Sequence, residues 1–227
     1  TVMKIALIGY GKMGHIIESI ALERGHEVVC VIDKDNLDDF SSVAFSTADV
    51  AIEFTTPQTA AANVQKSWQA GVPVVCGTTG WDVEAMKLEA KRLEAGLMWA
   101  SNYSVGVNIL FALNKQLAKF MEKYPAYQPS MTEVHHVHKL DAPSGTAIML
   151  GNAIKEEMPD AYFEYDRHSK REKRHTNEIG IHAIRGGTIV GEHQVMFAGT
   201  DEIVTLSHSA RSRAIFANGA VNAAVFL

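Results

Sequence analysis

Apolar and polar positions along the chain change rhythm near Asn102. Before it, short apolar runs alternate with helical stripes. Met3 to Gly9 (MKIALIG) is an apolar run closed by glycine. From Met13 to Arg24 the residues Met13, Ile16, Ile17, Ile20 and Ala21 share one stripe, and Gly25 follows, which predicts an amphipathic helix. Glu27 to Ile32 and Val50 to Phe54 read as buried strands, followed by a helix near Thr59 to Ala70. Val72 to Cys76 is a further strand, Val83 to Glu94 a helix, and Leu97 to Ala100 a strand. Such alternation predicts a Rossmann-like α/β domain, a doubly wound parallel sheet with helices on both faces.

Beyond Asn102 the pattern is different. Val107 to Phe120 is a strongly apolar helix, Ser130 to His138 a strand and Ser144 to Lys155 a helix. After Glu178 the runs EIGIHAIR, TIVGEHQVMFA and DEIVTLSHSA alternate polar with apolar positions, which suits an antiparallel sheet with one wet face. Ala214 to Leu227 is small, apolar and helical in character. The expectation is a dinucleotide-type domain over residues 1–103, with helix 214–227 packing back on it. Residues 104–213 would form a smaller α+β domain with a mixed or antiparallel sheet. The charge-dense stretch Asp166 to Lys173 reads as a solvated loop, with a contact to cofactor phosphates as the lesser reading.

Composition narrows the class. The 227 residues are 47% hydrophobic and 21% charged, enough for ordinary cores, and the formal charge is −5. A mildly acidic chain argues against a nucleic-acid surface or a polybasic membrane anchor. No apolar run approaches the roughly 20 residues that span a bilayer. The opening TVMKIALIGYG runs straight into a strand, unlike a signal peptide. Cys30 and Cys76 both lie in apolar runs and read as buried thiols, with no redox or zinc spacing. These features fit a reducing cytoplasm.

The first candidate chemistry is Gly9-Tyr10-Gly11-Lys12-Met13-Gly14, a GxGxxG spacing between a strand and a helix. Gly9 would permit the tight turn, Gly11 the approach of a pyrophosphate, and Gly14 close packing of helix on strand. Asp33, 19 residues past Gly14, ends the next strand, where a carboxylate accepts from adenosine ribose hydroxyls. Asp33 favours NAD, while the adjacent Lys34 offers a 2′-phosphate a cation, so coenzyme choice stays open. Phe54-Thr55-Thr56-Pro57 and Gly77-Thr78-Thr79-Gly80 follow strand ends, where open α/β sheets bind ligands; simple turn chemistry is the other reading.

The second is Glu133 to Ala147, EVHHVHKLDAPSGTA, with three histidines and a lysine in five residues beside a helix start. On a strand His136 and His138 share a face and His135 points the other way; a loop frees all three to converge. The N–H groups at Ala142-Pro143-Ser144-Gly145-Thr146 can hold a carboxylate. Three readings stand: metal ligands, which the neighbouring lysine disfavours; structural or surface histidines; and a site for an anionic substrate with acid catalysis.

Together with FTTP, GTTG, SNYSVGVN, IVGEHQVMF and SRAIFANGAVNAA, the glycine loop and the EVHHVHKLDAPSGTA block resemble the dihydrodipicolinate reductase family, in order from Ile5 to Ala224. The resemblance implies an NADH- and/or NADPH-dependent oxidoreductase of lysine and diaminopimelate biosynthesis. Its substrate would be a small cyclic imine dicarboxylate, and its usual form a cytoplasmic homotetramer joined through the second domain's sheet. It implies His135 as catalytic acid/base and Lys139 as proton donor or polarising cation. His136, Gly145, Thr146 and Arg213 are the implied substrate contacts. The implied coenzyme contacts are Gly9 to Met13, Asp33, Gly77, Thr78 and Thr79, and Ala100, Ser101, Asn102 and Tyr103; Gly14 and Lys34 join them from the loop reading above. No metal is implied. One departure is length: 20 residues lie between Asp33 and Phe54, about half what many members carry, so one helix should be shortened or lost. The competing functions are another imine- or amino-acid-directed dehydrogenase, a non-catalytic dinucleotide-binding regulator, and a metal-dependent enzyme.

Overall fold

The computed structural model describes residues 1–227, which form two compact units, Thr1–Val105 with Ala214–Leu227, and Gly106–Arg213. The first unit contains β1 (Lys4–Ile8), α1 (Lys12–Glu23), β2 (Glu27–Ile32), α2 (Val43–Ser46), β3 (Val50–Glu53), α3 (Ala60–Gln69), β4 (Val74–Cys76), α4 (Val83–Leu93), β5 (Leu97–Trp99) and the C-terminal α7 (Ala214–Phe226). Its five strands run parallel in the order β2-β1-β3-β4-β5. β3 and β4 are buried along their whole length, which is why they read as continuous apolar runs.

Alternate residues of β1 serve two cores. Ile5 and Leu7 pack with Ile17, Ile20, Ile52 and the small α7 residues Ala217, Ala220 and Ala224 on one face. Ala6 and Ile8 pack with Ile32, Val64, Val74 and Met86 on the other. α7 is further tied to the end of α1, where Arg24 donates to Asn222 at 2.7 Å and Asn218 at 2.6 Å. In the short stretch between β2 and β3 only a 3-10 turn (Leu37–Ser41) and the single-turn α2 remain. Phe40 and Phe45, with ring centroids 5.1 Å apart, cover that part of the sheet. The strand order reverses direction of growth between β1 and β3, the point where doubly wound sheets open a crevice.

The second unit holds α5, which begins at the unit boundary (Val105–Met121), β6 (Gln128–His135), α6 (Gly145–Glu157), β7 (Tyr162–Glu164), β8 (Glu178–Arg185), β9 (Gly191–Ala198) and β10 (Ile203–Ala210). Its sheet has the order β10-β9-β6-β8-β7. β9 pairs antiparallel with both β6 and β10, but β6, β8 and β7 are mutually parallel. The sheet is therefore mixed. Alternation along a strand reports one buried face and not the direction of its neighbour, so sequence could not separate the two cases. Helices α5 and α6 cover the buried face through Leu110, Leu150 and Ile154, packed with Met131, Ile179 and Phe197.

Two local expectations change. The strand predicted to His138 stops at His135, because its neighbours end there too: β8 at Arg185 and, in the other direction, β9 at Gly191. His136 to Lys139 lie in a turn closed by Lys139 N–H to His136 O at 3.1 Å. The Asp166 to Lys173 stretch is also not simply solvated. Arg167 pairs with the buried Glu178 at 3.0 Å and Lys170 reaches Glu164 at 3.2 Å, folding the stretch onto β7 and β8. No helix is long and apolar enough to cross a membrane.

Candidate active site

In the first unit the glycine loop follows β1 as the fingerprint requires. Gly9 has φ +91°, and a β-carbon there would lie 2.0 Å from Phe54 O. One on Gly14 would lie 2.4 Å from Gly9 O, so helix and loop pack at a distance only glycine allows. Gly11 differs: nothing in the protein lies within 4 Å of that position. Its backbone faces open space at the start of α1, the place where a pyrophosphate needs access. Beside it a crevice of about 480 Å³ is lined by Gly9, Tyr10, Gly11, Asp33, Lys34 and Thr55 among others. A second recess of about 430 Å³ shares Gly11, Phe54 and Thr55 and adds Lys12, Met13, Gly14, Gly77, Thr78 and Thr79. The open backbone at Gly11 between these two recesses suits a dinucleotide with its pyrophosphate at the start of α1.

Asp33 and Lys34 are exposed at the end of β2. The Asp33 N–H donates to Asn36 Oδ1 at 2.7 Å, and Asn36 in turn donates to Val31 O, fixing the turn. Ala100 is half-buried against the core and Ser101 exposed; Asn102 caps the Ser104 N–H at 2.8 Å. Tyr103 is core: its hydroxyl lies 2.8 Å from Cys76 O and 3.0 Å from Met98 O. The side chain braces the ends of β4 and β5, and burial pushes its phenol upward.

In the second unit the centre is a carboxylate that sequence reading quoted but gave no role. Glu133 sits on the inward face of β6 with 0% exposure. Arg185 grips it with both terminal nitrogens, at 2.9 Å and 2.8 Å. The Ser144 N–H donates to it at 3.1 Å, and His135 Nδ1 makes a short hydrogen bond to it. Burial alone would raise its pKa, but Arg185 and His135 together hold it below the ordinary value. Arg185 also donates to Asp141 O at 2.6 Å, tying the following loop to the same point.

Ser144 caps α6: its Oγ accepts from the Ala147 N–H at 3.2 Å. That oxygen is 2.9 Å from His193 Nε2. Which group donates follows the imidazole tautomer, and with an unprotonated Nε2 the hydroxyl hydrogen points to His193. Burial, and then the charge of His135, push His193 down to about 4, in keeping with that state. The His135 and His193 rings meet edge to face with centroids 5.1 Å apart.

The remaining candidates gather in the same unit. Arg213 Nη2 lies 3.5 Å from His136 Nε2. Burial lowers the His136 pKa, with Arg213 the next cause. Lys139 pairs with Asp141 at 2.8 Å. Gly145 and Thr146 open α6, where first-turn N–H groups lack helical partners. His138 is exposed, its ring 6.3 Å from that of His136. No three His, Cys, Asp or Glu side chains come together as metal ligands. Glu133, Arg185 and His193 were missed as functional residues. The available signal was periodicity: Met131, Glu133 and His135 fall on one face, and a carboxylate on a core face demands cationic partners.

Comparison with known proteins identifies the family. The model of the dihydrodipicolinate reductase N-terminus matches residues 3–103, and that of its C-terminus matches residues 106–227. The chain is 43% identical to the 4-hydroxy-tetrahydrodipicolinate reductase of Staphylococcus epidermidis, covering 98% of this chain and 93% of that one. It is 41% identical to the enzyme of that name from Caldanaerobacter subterraneus subsp. tengcongensis, covering 96% and 89%. Among solved structures, a dipicolinate-bound dihydrodipicolinate reductase from Paenisporosarcina sp. TG-14 superposes with TM-score 0.79 at 24% identity, covering 99% of this chain and 94% of that one, which shows the shared fold. The chain belongs to the dihydrodipicolinate reductase family of oxidoreductases, whose amino-terminal domain binds the dinucleotide.

Proposed function

We propose that the chain reduces 4-hydroxy-tetrahydrodipicolinate, a six-membered cyclic imine with two carboxylates, using NADH or NADPH, in the cytoplasmic diaminopimelate route to lysine. The observation that carries this reading is the Glu133 cluster, in which a carboxylate held by Arg185 and by the Ser144 N–H at the start of α6 fixes His135, while Arg213 lies against the neighbouring His136.

Reduced nicotinamide supplies hydride when bound. The Gly9–Gly14 loop and the start of α1 would receive its pyrophosphate, and Asp33 would accept from the adenosine ribose. Lys34 would offer a cation to a 2′-phosphate. Gly77, Thr78 and Thr79, with Ala100, Ser101 and Asn102, would hold the nicotinamide side, and Tyr103 would support them from the core.

On the substrate side the N–H groups of Gly145 and Thr146 hold one carboxylate. Arg213 and His136 attract the other. Lys139 can exchange its Asp141 partner, whose side chain is 59% exposed, for the substrate anion. Loss of the ring hydroxyl as water would give a C=C bond conjugated with the imine. Hydride then adds at the carbon that carried the hydroxyl, and the π electrons shift toward nitrogen. The enamine-like anion must take a proton on the adjacent ring carbon to restore the imine. Glu133 occupies His135 Nδ1, which leaves Nε2 as the nitrogen that exchanges that proton. Lys139 is the alternative donor, and the cationic surroundings stabilise the developing charge of either route.

The chain is further proposed to assemble as a homotetramer through the second unit's sheet, whose β10 edge is unpaired and carries Ile203 at 59% exposure. Sedimentation at four times the protomer mass supports this; a monomer contradicts it. The reaction is tested by loss of reduced-nicotinamide absorbance with the condensation product of pyruvate and aspartate semialdehyde, run with NADH and NADPH in parallel. Substrate-dependent oxidation is the expected result. Coenzyme binding without turnover would point instead to a dinucleotide-binding regulator.

A further inference from the structure

The family reading leaves one buried ionisable group without a task. Glu53, the last residue of β3, has 0% exposure. Four donors converge on its carboxylate. Thr78 Oγ donates at 2.7 Å, Cys76 Sγ at 2.9 Å and Asn63 Nδ2 at 3.4 Å, and Thr55 Oγ makes a short hydrogen bond. Thr55 and Thr78 belong to the two loops that line the 430 Å³ recess, Cys76 ends β4 and Asn63 lies in α3.

The network continues outward. The Thr55 N–H donates to Thr78 Oγ at 2.8 Å, joining one loop to the other. Thr55 Oγ also accepts from Asn63 at 3.2 Å and from Thr59 at 2.9 Å. The indoles of Trp81 and Trp99 both donate to Thr78 O, at 2.7 Å and 2.8 Å. Burial, followed by the charge of Glu53, pushes the Cys76 thiol up, so it remains a donor.

A carboxylate in an otherwise apolar strand end is costly to desolvate, and an apolar side chain with apolar partners would stabilise the sheet as well or better. What only an acceptor-only group supplies is a fixed direction for four hydrogens at once. We propose that Glu53 is a positioning residue for the coenzyme: it locks the Phe54–Pro57 and Gly77–Gly80 loops in the one arrangement that receives the nicotinamide half. This rests on the dinucleotide role proposed above.

The substitution Glu53→Gln keeps the shape and replaces one acceptor with a donor. Titration of the purified chain with NADH, followed by nicotinamide fluorescence, should show Kd raised about tenfold as two donors lose their acceptor. KM for coenzyme should rise with it, while KM for the ring substrate stays put. Amide hydrogen exchange should quicken at Thr55, Thr56 and Thr78 and not along α1. Glu53→Asp, which restores an acceptor-only group, should recover part of the affinity. A folded Glu53→Gln protein that binds NADH like the wild type, or only melts earlier, overturns the proposal. Should that variant not fold, Asn63→Ala removes one donor and is expected to weaken NADH about threefold; unchanged affinity overturns it equally. Absence of both NADH and NADPH binding by the wild type would defeat the dinucleotide reading itself, a result distinct from equal binding by wild type and variant.

Discussion

Around Gly11 the first unit offers mainly backbone: a turn of glycines, a helix start and two threonine loops, with Lys12, Asp33 and Lys34 as separate charges along the recesses and open space where a side chain would be. Around Glu133 the second unit offers the reverse, a buried carboxylate in an arginine fork, two histidines in contact and a rim of Lys139, His136 and Arg213. The difference follows from what each must hold. A coenzyme brings its own reactive atom, so the protein needs shape and backbone N–H groups. A doubly negative ring that must take up a proton needs charge and a titratable group in a fixed orientation. The two sites should therefore fail in different ways.

The largest effect is expected from Glu133→Gln. Its amide cannot serve Arg185, His135 and the Ser144 N–H together, so His135 loses the acceptor that fixes Nδ1. The kcat should fall at least as far as on removing His135 itself, about a hundredfold or more, because the general acid loses its orientation and Arg185 loses its partner. Denaturant unfolding should show about 3–5 kcal/mol less stability, as for a broken buried ion pair. NADH titration should be unaffected; a variant with weakened coenzyme binding and intact kcat would blur the contrast between the sites.

A pH series sharpens it further. The unfolded His193 titrates near 6.5 and the folded one at about 4, so between these values the unfolded chain binds the extra proton. Stability from this group is present above pH 6.5 and is lost as pH falls toward 4, to an extent of about 3 kcal/mol. Glu133, whose pKa is lowered, adds loss in the same direction below its ordinary range. Thermal unfolding followed from pH 7 to 4 should show this slope, and His193→Gln should flatten it. An equal slope in both proteins would remove His193 as its source.

Next in size is His135→Gln, for which turnover should drop about a hundredfold, the usual scale of a general acid. The measurement is kcat at saturating coenzyme; unchanged kcat would remove His135 from the chemistry and leave Lys139.

Smallest is Gly11→Ala. Because no protein atom lies near the added methyl, the melting temperature should not move. NADH affinity should still fall about tenfold, since the methyl occupies the approach to the pyrophosphate. A loss of stability instead would mean the glycine serves packing, as Gly14 does.

Much of the first unit was legible because its rules are local. Gly9, Gly11 and Gly14 lie in one turn between a strand and a helix, a spacing that six residues display, although the contact that bars a β-carbon at Gly9 comes from the distant Phe54. The second site was only half legible. His135, His136 and Lys139 announce themselves in one short stretch, but Arg185 lies 52 residues from Glu133 and reaches it only through the parallel pairing of β6 with β8. His193 faces Glu133 through the antiparallel pairing of β6 with β9. Register between distant strands is set by the assembled sheet, and the chain pattern does not encode it. The strand end at His135 was misplaced for a related reason, since Val137 prolongs the alternation although no neighbouring strand is there to pair with it.

The division between the sites is tested most directly by steady-state oxidation of reduced coenzyme with the ring substrate, comparing wild type, Gly11→Ala and His135→Gln in one series. A raised coenzyme KM with kcat nearly kept in Gly11→Ala, and a reduced kcat with coenzyme KM kept in His135→Gln, is the predicted result. The same kinetic defect in both variants, or full turnover by His135→Gln, would contradict it.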